Sequence, residues 1–153
     1  MGRYWNTAYH SGKFGFGCQS SADPEIFGMS VSSDNYDIDG TVDYYLEADE
    51  DSMTQCYLAL EEQFNILGVP IDERRYVFPD DETRWAYINS LNDYVFREAT
   101  EKERKDRVCW SVDDKTCVER FDGSALAMFR LNLGIAIYSD LHLHGCCDLN
   151  AEF

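Results

Sequence analysis

With 153 residues and a hydrophobic share of 44%, the chain is long enough to bury a core without disulfides or a structural metal, and an aromatic share of 14% argues against disorder. Its formal net charge of -16 disfavours nonspecific binding to nucleic acid or to an anionic membrane, because both are held by basic surfaces. No apolar run approaches spanning length and no leader-like stretch opens the chain, so an intracellular, cytoplasmic protein is expected, in which six cysteines read as reduced thiols. Gly2 does not read as an acylation site, since Asn6 stands where Ser or Thr is required.

In chain order, Arg3 to Cys18 predicts two strands joined near Ser11-Gly12. In the second, Phe14, Phe16 and Cys18 share one face, and Gly15 and Gly17 leave bare backbone on the other for an element or a ligand to approach. Tyr4, Trp5, Phe14 and Phe16, with Arg3 and Lys13 beside them, are candidates for a platform that stacks a base and holds phosphate; the competing expectation is that they are core. Ser11-Gly12-Lys13 is not a phosphate loop, lacking both the upstream glycine and the Ser or Thr that should follow. Asp23 is placed to cap a single turn that Pro24 starts and Gly28 ends.

The stretches Gly2 to Trp5, Gly12 to Ser21, Phe27-Gly28 and the ending Ala151-Glu152-Phe153 resemble a small protein family of unknown function encoded by large DNA viruses and phages. The likeness covers mainly the two ends. It implies an intracellular, virus-encoded setting and brings no activity or site residues.

Asn35 to Leu46 holds Asp39-Gly40 between two alternating runs, the signal of a hairpin with a type I' turn. The same stretch imitates a calcium loop through Asn35, Asp37, Asp39 and Asp43. Leu46 stands where the closing Glu belongs, however, and the hairpin is preferred. Apolar spacing predicts helices over Ser52 to Leu67, Asp80 to Arg104 and Ser124 to Asp140, the last capped by Asp122 or Ser124, with a strand at Arg75 to Phe78. A further hairpin is expected around Asp113-Asp114-Lys115; an odd-length loop would set Cys109 opposite Cys117, and an even one would offset them. Leu141 to His144 alternates as a strand would, with both histidines on one side.

Together these elements predict a single α+β domain, an antiparallel sheet of hairpins packed by about three helices. Cys109, Cys117, His142, His144 and Cys146, with Cys147, form the best metal candidate, and they would supply a zinc enzyme if one register brought them together; lacking a paired-cysteine knuckle, no cofactor is expected. No nucleophile elbow or catalytic motif is present. The leading expectation is therefore a noncatalytic, acidic protein-binding or inhibitory module for a host or viral protein with a basic surface, without direct nucleic-acid or membrane binding. The alternatives are a nucleotide-binding protein using the N-terminal aromatics, or the metal-dependent enzyme.

Overall fold

The computed structural model describes residues 3–153, so Gly2 and the acylation reading attached to it lie outside the described residues. The longest element is helix α6 (Ser124–His144), and fourteen of its 21 residues are buried. Leu131, Leu133, Ile135 and Ile137 point to several sides of it, yet all four are wholly buried, so neighbours must cover most of its circumference. Burying each such side chain contributes about 1.5–3 kcal/mol against the entropy of ordering it. The principal neighbour is helix α2 (Glu50–Leu67), and the inner face of a five-stranded sheet lies on the same core.

That sheet runs in the order β2 (Ser11–Lys13), β1 (Tyr4–Asn6), β8 (Cys146–Glu152), β4 (Thr41–Glu47), β3 (Ser30–Asn35), with every neighbouring pair antiparallel. Strand alternation sets its two faces. Trp5, Val42, Tyr44, Cys147, Leu149 and Ala151 turn inward and are buried, whereas Asn6, Asp43, Tyr45, Asp148 and Asn150 turn to the solvent side. A second sheet, β5 (Phe96–Glu98), β7 (Lys115–Glu119) and β6 (Trp110–Val112), joins the same core through Phe96, Cys117 and Trp110, whose ring lies 5.6 Å from that of Phe129 on α6. The result is the α+β architecture expected from the pattern of hairpins and helices. No helix among the described residues is long and apolar enough to cross a membrane.

Several local expectations are corrected. The helix expected from Asp80 to Arg104 is α3 (Asp81–Ser90), a single turn α4 (Asn92–Val95), strand β5 and α5 (Glu101–Asp106). Asp80 does cap α3, accepting from the Thr83 amide at 2.9 Å, but Val95 and Ala99, which suggested one continuous stripe, are buried on either side of β5. Thr100 then starts α5 afresh through a capping box with Glu103. Leu141 to His144 is not a strand; α6 continues through His144 and ends at Gly145, whose φ of 82° is the left-handed conformation glycine tolerates. Arg75 to Phe78 forms no strand. The β3–β4 hairpin exists, but a single helical turn, α1 (Tyr36–Asp39), connects it in place of a type I' turn. Two residues with positive φ, Asp113 and Asp114, instead make the tight turn between β6 and β7, an even loop that pairs Cys117 with Trp110 and leaves Cys109 outside the strand. Between β1 and β2 the turn spans Thr7 to His10, and Ser11 and Gly12 belong to β2 itself.

Capping differs too. Asp49 caps α2, with Ser52 completing a capping box three residues on. Asp23 pairs with Arg130 at 3.0 Å and caps nothing, and Ser124 donates to the Val95 carbonyl at 2.7 Å, leaving α6 without a side-chain cap.

Gly134 marks a tight point of the core. A Cβ there would lie 2.3 Å from Phe27 Cε1 and 2.7 Å from Leu60 Cδ2. Gly134→Val is expected to destabilise the protein by about 1–3 kcal/mol through overpacking. Urea unfolding measures this, and an unchanged midpoint would show that Phe27 and Leu60 do not close on the helix backbone.

Candidate functional site

The residues proposed as an N-terminal ligand platform are distributed over three environments. Trp5 and Phe14 are core, each buried on the inner side of the sheet. Arg3 donates to Ser21 Oγ at 2.8 Å and to the Gln19 carbonyl, and stands 5.7 Å from the centre of the Phe14 ring, so it binds its own chain. Phe16 is 72% exposed, on a different surface beside Val108. Gly15 is approached closely, as its sequence context suggests, but by the Phe129 ring: a Cβ at Gly15 would lie 2.3 Å from Phe129 Cδ2. Tyr4 and Lys13 remain. With the otherwise buried Trp5 they line an open recess of ≈ 510 Å³ together with Trp85 and Phe129, and the Lys13 ammonium sits 5.0 Å from the Tyr4 ring centre.

The proposed metal ligands are likewise spread out. On a helix, residues two apart point about 200° away from each other, so His142 and His144 do not share a side. His144 stacks on Tyr9 with ring centres 3.6 Å apart, and His142 faces Tyr138. Cys117 is buried, Cys109 Sγ lies 3.4 Å from the Arg107 carbonyl, and Cys146 is paired across the sheet with Glu47. Among the described residues no three or more His, Cys, Asp or Glu side chains stand together as metal ligands would. In the calcium-like stretch, Asp39 accepts from Thr41, and Asp43 accepts from Asn150 at 2.7 Å and from Asn35.

One charged cluster was not foreseen. Arg84 of α3 is 0% exposed and spends its guanidinium on three elements: Nε donates to Asn132 Oδ1 of α6 (2.8 Å), Nη2 to the Ser11 carbonyl of β2 (2.7 Å), and Nη1 to Asp81 (2.6 Å). Its planar head also stands over Trp5 and Trp85, at 5.3 and 5.6 Å. Nη1 also meets His10 Nδ1, which requires a neutral imidazole accepting at that nitrogen. Burial first, and then the Arg84 charge, hold the His10 pKa below its ordinary 6.5, against the opposing charges of Asp140 and Asp81. Asp140 lies 3.7 Å from His10 Nε2, and burial pushes its carboxyl pKa upward.

Cys147 neighbours Asp140, so a thiol, a carboxylate and an imidazole lie near one another, but this is not a nucleophile with its base. The thiol makes no hydrogen bond to the imidazole, and burial first, then the Asp140 charge, raise its pKa, which keeps it protonated and inert. With His10 at 3% and Asp140 at 2% exposure, no substrate reaches the group. The cluster ties the β1–β2 turn, α3 and α6 to one another.

The strongest surface feature is the distribution of charge. From Phe14 to Glu73 there is no lysine or arginine, and fourteen of the protein's 29 acidic residues lie in that stretch. Among the described residues only Asp23 and Glu61 of these are paired with a guanidinium, from Arg130 and Arg74. The stretch folds as β3, α1, β4 and α2, so one side of the molecule carries Asp34, Asp37, Asp39, Glu47, Glu50 and Asp51 exposed, with Asp148 of β8 added to the outer sheet face. Within it Tyr36 and Ile38 of α1 stand out from the surface, Ile38 at 85% exposure. Comparison with family models, curated proteins and solved structures finds no match to this chain.

The His10 environment gives a signed expectation. Because the folded-state pKa is lowered, the unfolded chain takes up the proton first as pH falls, so the stability contributed above 6.5 is lost as pH drops below that value. His10→Gln should remove that component of the pH dependence of unfolding. Asp140→Asn, which deletes a charge that favours the imidazolium, should make His10 titrate lower still by NMR; a rise would refute the assignment of neighbours.

Proposed function

We propose that this protein is a binding module that docks a basic surface or segment of a partner protein against its acidic side, without catalysis. The observation that carries this reading is the segregation of charge: the interval from Phe14 to Glu73, which folds into β3, α1, β4 and α2, holds no lysine or arginine and bears exposed Tyr36 and Ile38 among its carboxylates. Mixed charge would serve solubility equally well, whereas a one-sign field steers a partner of opposite sign and rejects partners of the same sign. In the virus-encoded, intracellular setting implied by the resemblance at the two ends, that partner is a host or viral protein with a basic surface. The acidic side then occupies a surface that the partner would otherwise offer to an anion such as nucleic acid.

Asp37, Glu47 and Asp148 are exposed, and their carboxylates accept no hydrogen bond among the described residues, so their charge can be removed without disturbing the fold. The triple variant Asp37→Asn, Glu47→Gln, Asp148→Asn is expected to stay within about 0.5 kcal/mol of the parent in stability. It should bind a lysine-rich probe peptide about tenfold more weakly at low ionic strength, and the parent should lose most of its affinity between about 50 and 500 mM salt. Affinity that ignores both salt and the substitutions would leave the charge as a solubility device.

The recess beside the N-terminal hairpin favours a second reading, a small flat ligand such as a nucleotide held between Tyr4, Trp85 and Phe129 with Lys13 at its anionic group. A nucleoside monophosphate that binds there raises the melting temperature by mass action, and Trp85→Ala removes the shift. No shift with any of the common nucleotides ends this reading.

A further inference from the structure

We infer that the acidic side takes its partner as an added strand: a basic, extended segment pairs with the free edge of β3. The inference rests on the binding reading above and specifies its geometry. Among the described residues β3 is an outer strand of the five-stranded sheet, paired only with β4, and at six residues it is the longest edge; the opposite edge, β2, and both edges of the small sheet have three residues each. Edge strands present unpaired amides and carbonyls, and proteins that must avoid pairing blunt such edges with lysine, proline or inward-pointing charge. Ser-Val-Ser-Ser-Asp-Asn carries neither lysine nor proline, and its one inward-pointing charge, Asp34 opposite Val42, is a carboxylate, which repels an acidic strand and attracts a basic one. A register shift falls between Val31 and Ser33, and the pairs from Ser33 to Asn35 run regularly beyond it. By contrast β2 is blunted, bearing Lys13 and tied to Asp81 through the Ser11 amide and hydroxyl.

The surroundings of the edge define the occupant. A recess of ≈ 260 Å³ opens beside β3 on the inner side of the sheet, where Val31, Tyr36 and Phe153 offer apolar surface and Asp34 and Glu25 offer carboxylates. Aliphatic stem followed by cationic head is the shape of lysine and arginine, whose methylenes lie on apolar surface while the charge reaches outward. Alternate residues of an added strand point to the same side, so the segment that fits has lysine or arginine at every second position. A second copy of this chain is excluded as occupant by the same charges, because its own edge would bring acid against acid.

The probe is a synthetic peptide of about seven residues alternating lysine and threonine; its control is the same sequence with every backbone amide N-methylated, with equal charge but without the amide donors that strand pairing needs. Binding of the first is expected to slow hydrogen exchange of the amides of residues 30–35 and to be at least about tenfold tighter than binding of the second. The pair Val31→Ser, Tyr36→Ser should weaken the first peptide and leave the second unchanged. If both peptides bind equally, or if no β3 amide gains protection, strand addition is wrong while the acidic docking surface stands. If neither peptide binds at low salt, the docking surface is wrong and strand addition falls with it. Protection of β3 that grows with protein concentration in the absence of peptide would assign the edge to a second copy and overturn the choice of a basic occupant.

Discussion

Everything in this fold depends on covering α6. A helix with so little polar circumference cannot stand at a surface, so α2, the Asp23–Phe27 turn, α3 and the inner sheet face are each obliged to contribute apolar side chains to it. Gly134 shows how close that cover is, since the rings and methyls opposite it occupy the space of a side chain. Three of the polar groups of α6 that become buried in the process are given partners: Asn132 accepts from Arg84, Ser139 accepts from the Phe78 amide, and Ser124 donates to the Val95 carbonyl, while the fourth, Asp140, is set beside His10. Arg84 is thus a consequence of the covering. It lets a polar spot on the central helix be closed by α3 and by the N-terminal hairpin together.

A core of this kind leaves the outside of the molecule free to carry an uneven charge. Repulsion among the exposed carboxylates from Asp34 to Asp51 works against the compact state, and the cost is borne by apolar burial elsewhere, not by local pairing. Cations are concentrated after Glu73, where several are committed: Arg74 to Glu61, Arg84 within its buried group, Arg97 to Glu103 at 2.7 Å, and Arg130 to Asp23. Spent internally, these cations do little to moderate the field over the sheet, and the asymmetry written in the chain persists on the surface.

The periodic segments were legible in the sequence, and the junctions were not. Met53, Leu60 and Phe64 gave α2 its position because one helical face is enough to specify a helix lying on a core. The break after Ser90 was hidden because Val95 and Ala99 keep the helical spacing although a strand, β5, runs between them; only pairing with β7, a distant segment, decides between the two. His142 and His144 misled for the converse reason, since a two-residue alternation at the end of a wholly apolar helix has no polar face to contradict it. The buried group of His10, Arg84 and Asp140 comes from three separated segments, each unremarkable alone, so no local signal announces it. The empty interval between Lys13 and Arg74 was present in the sequence and readable without any structure.

The position of β8 within the sheet has a consequence for biosynthesis. This strand lies between β1 and β4, pairing with Trp5 and Asn6 on one side and along the whole of Thr41–Glu47 on the other, although it follows both of them in the chain and leaves the ribosome after them. Until it emerges, the N-terminal hairpin and the acidic β3–β4 hairpin have no common partner, and the inner faces of both are open to the nascent chain's neighbours. Assembly therefore cannot proceed from the N-terminus forward; the two halves of the sheet wait as separate hairpins and are joined in one late step of high sequence separation. During that interval the uniform negative charge of the waiting hairpin has a use of its own, holding like chains on the same message apart while their edges are unprotected.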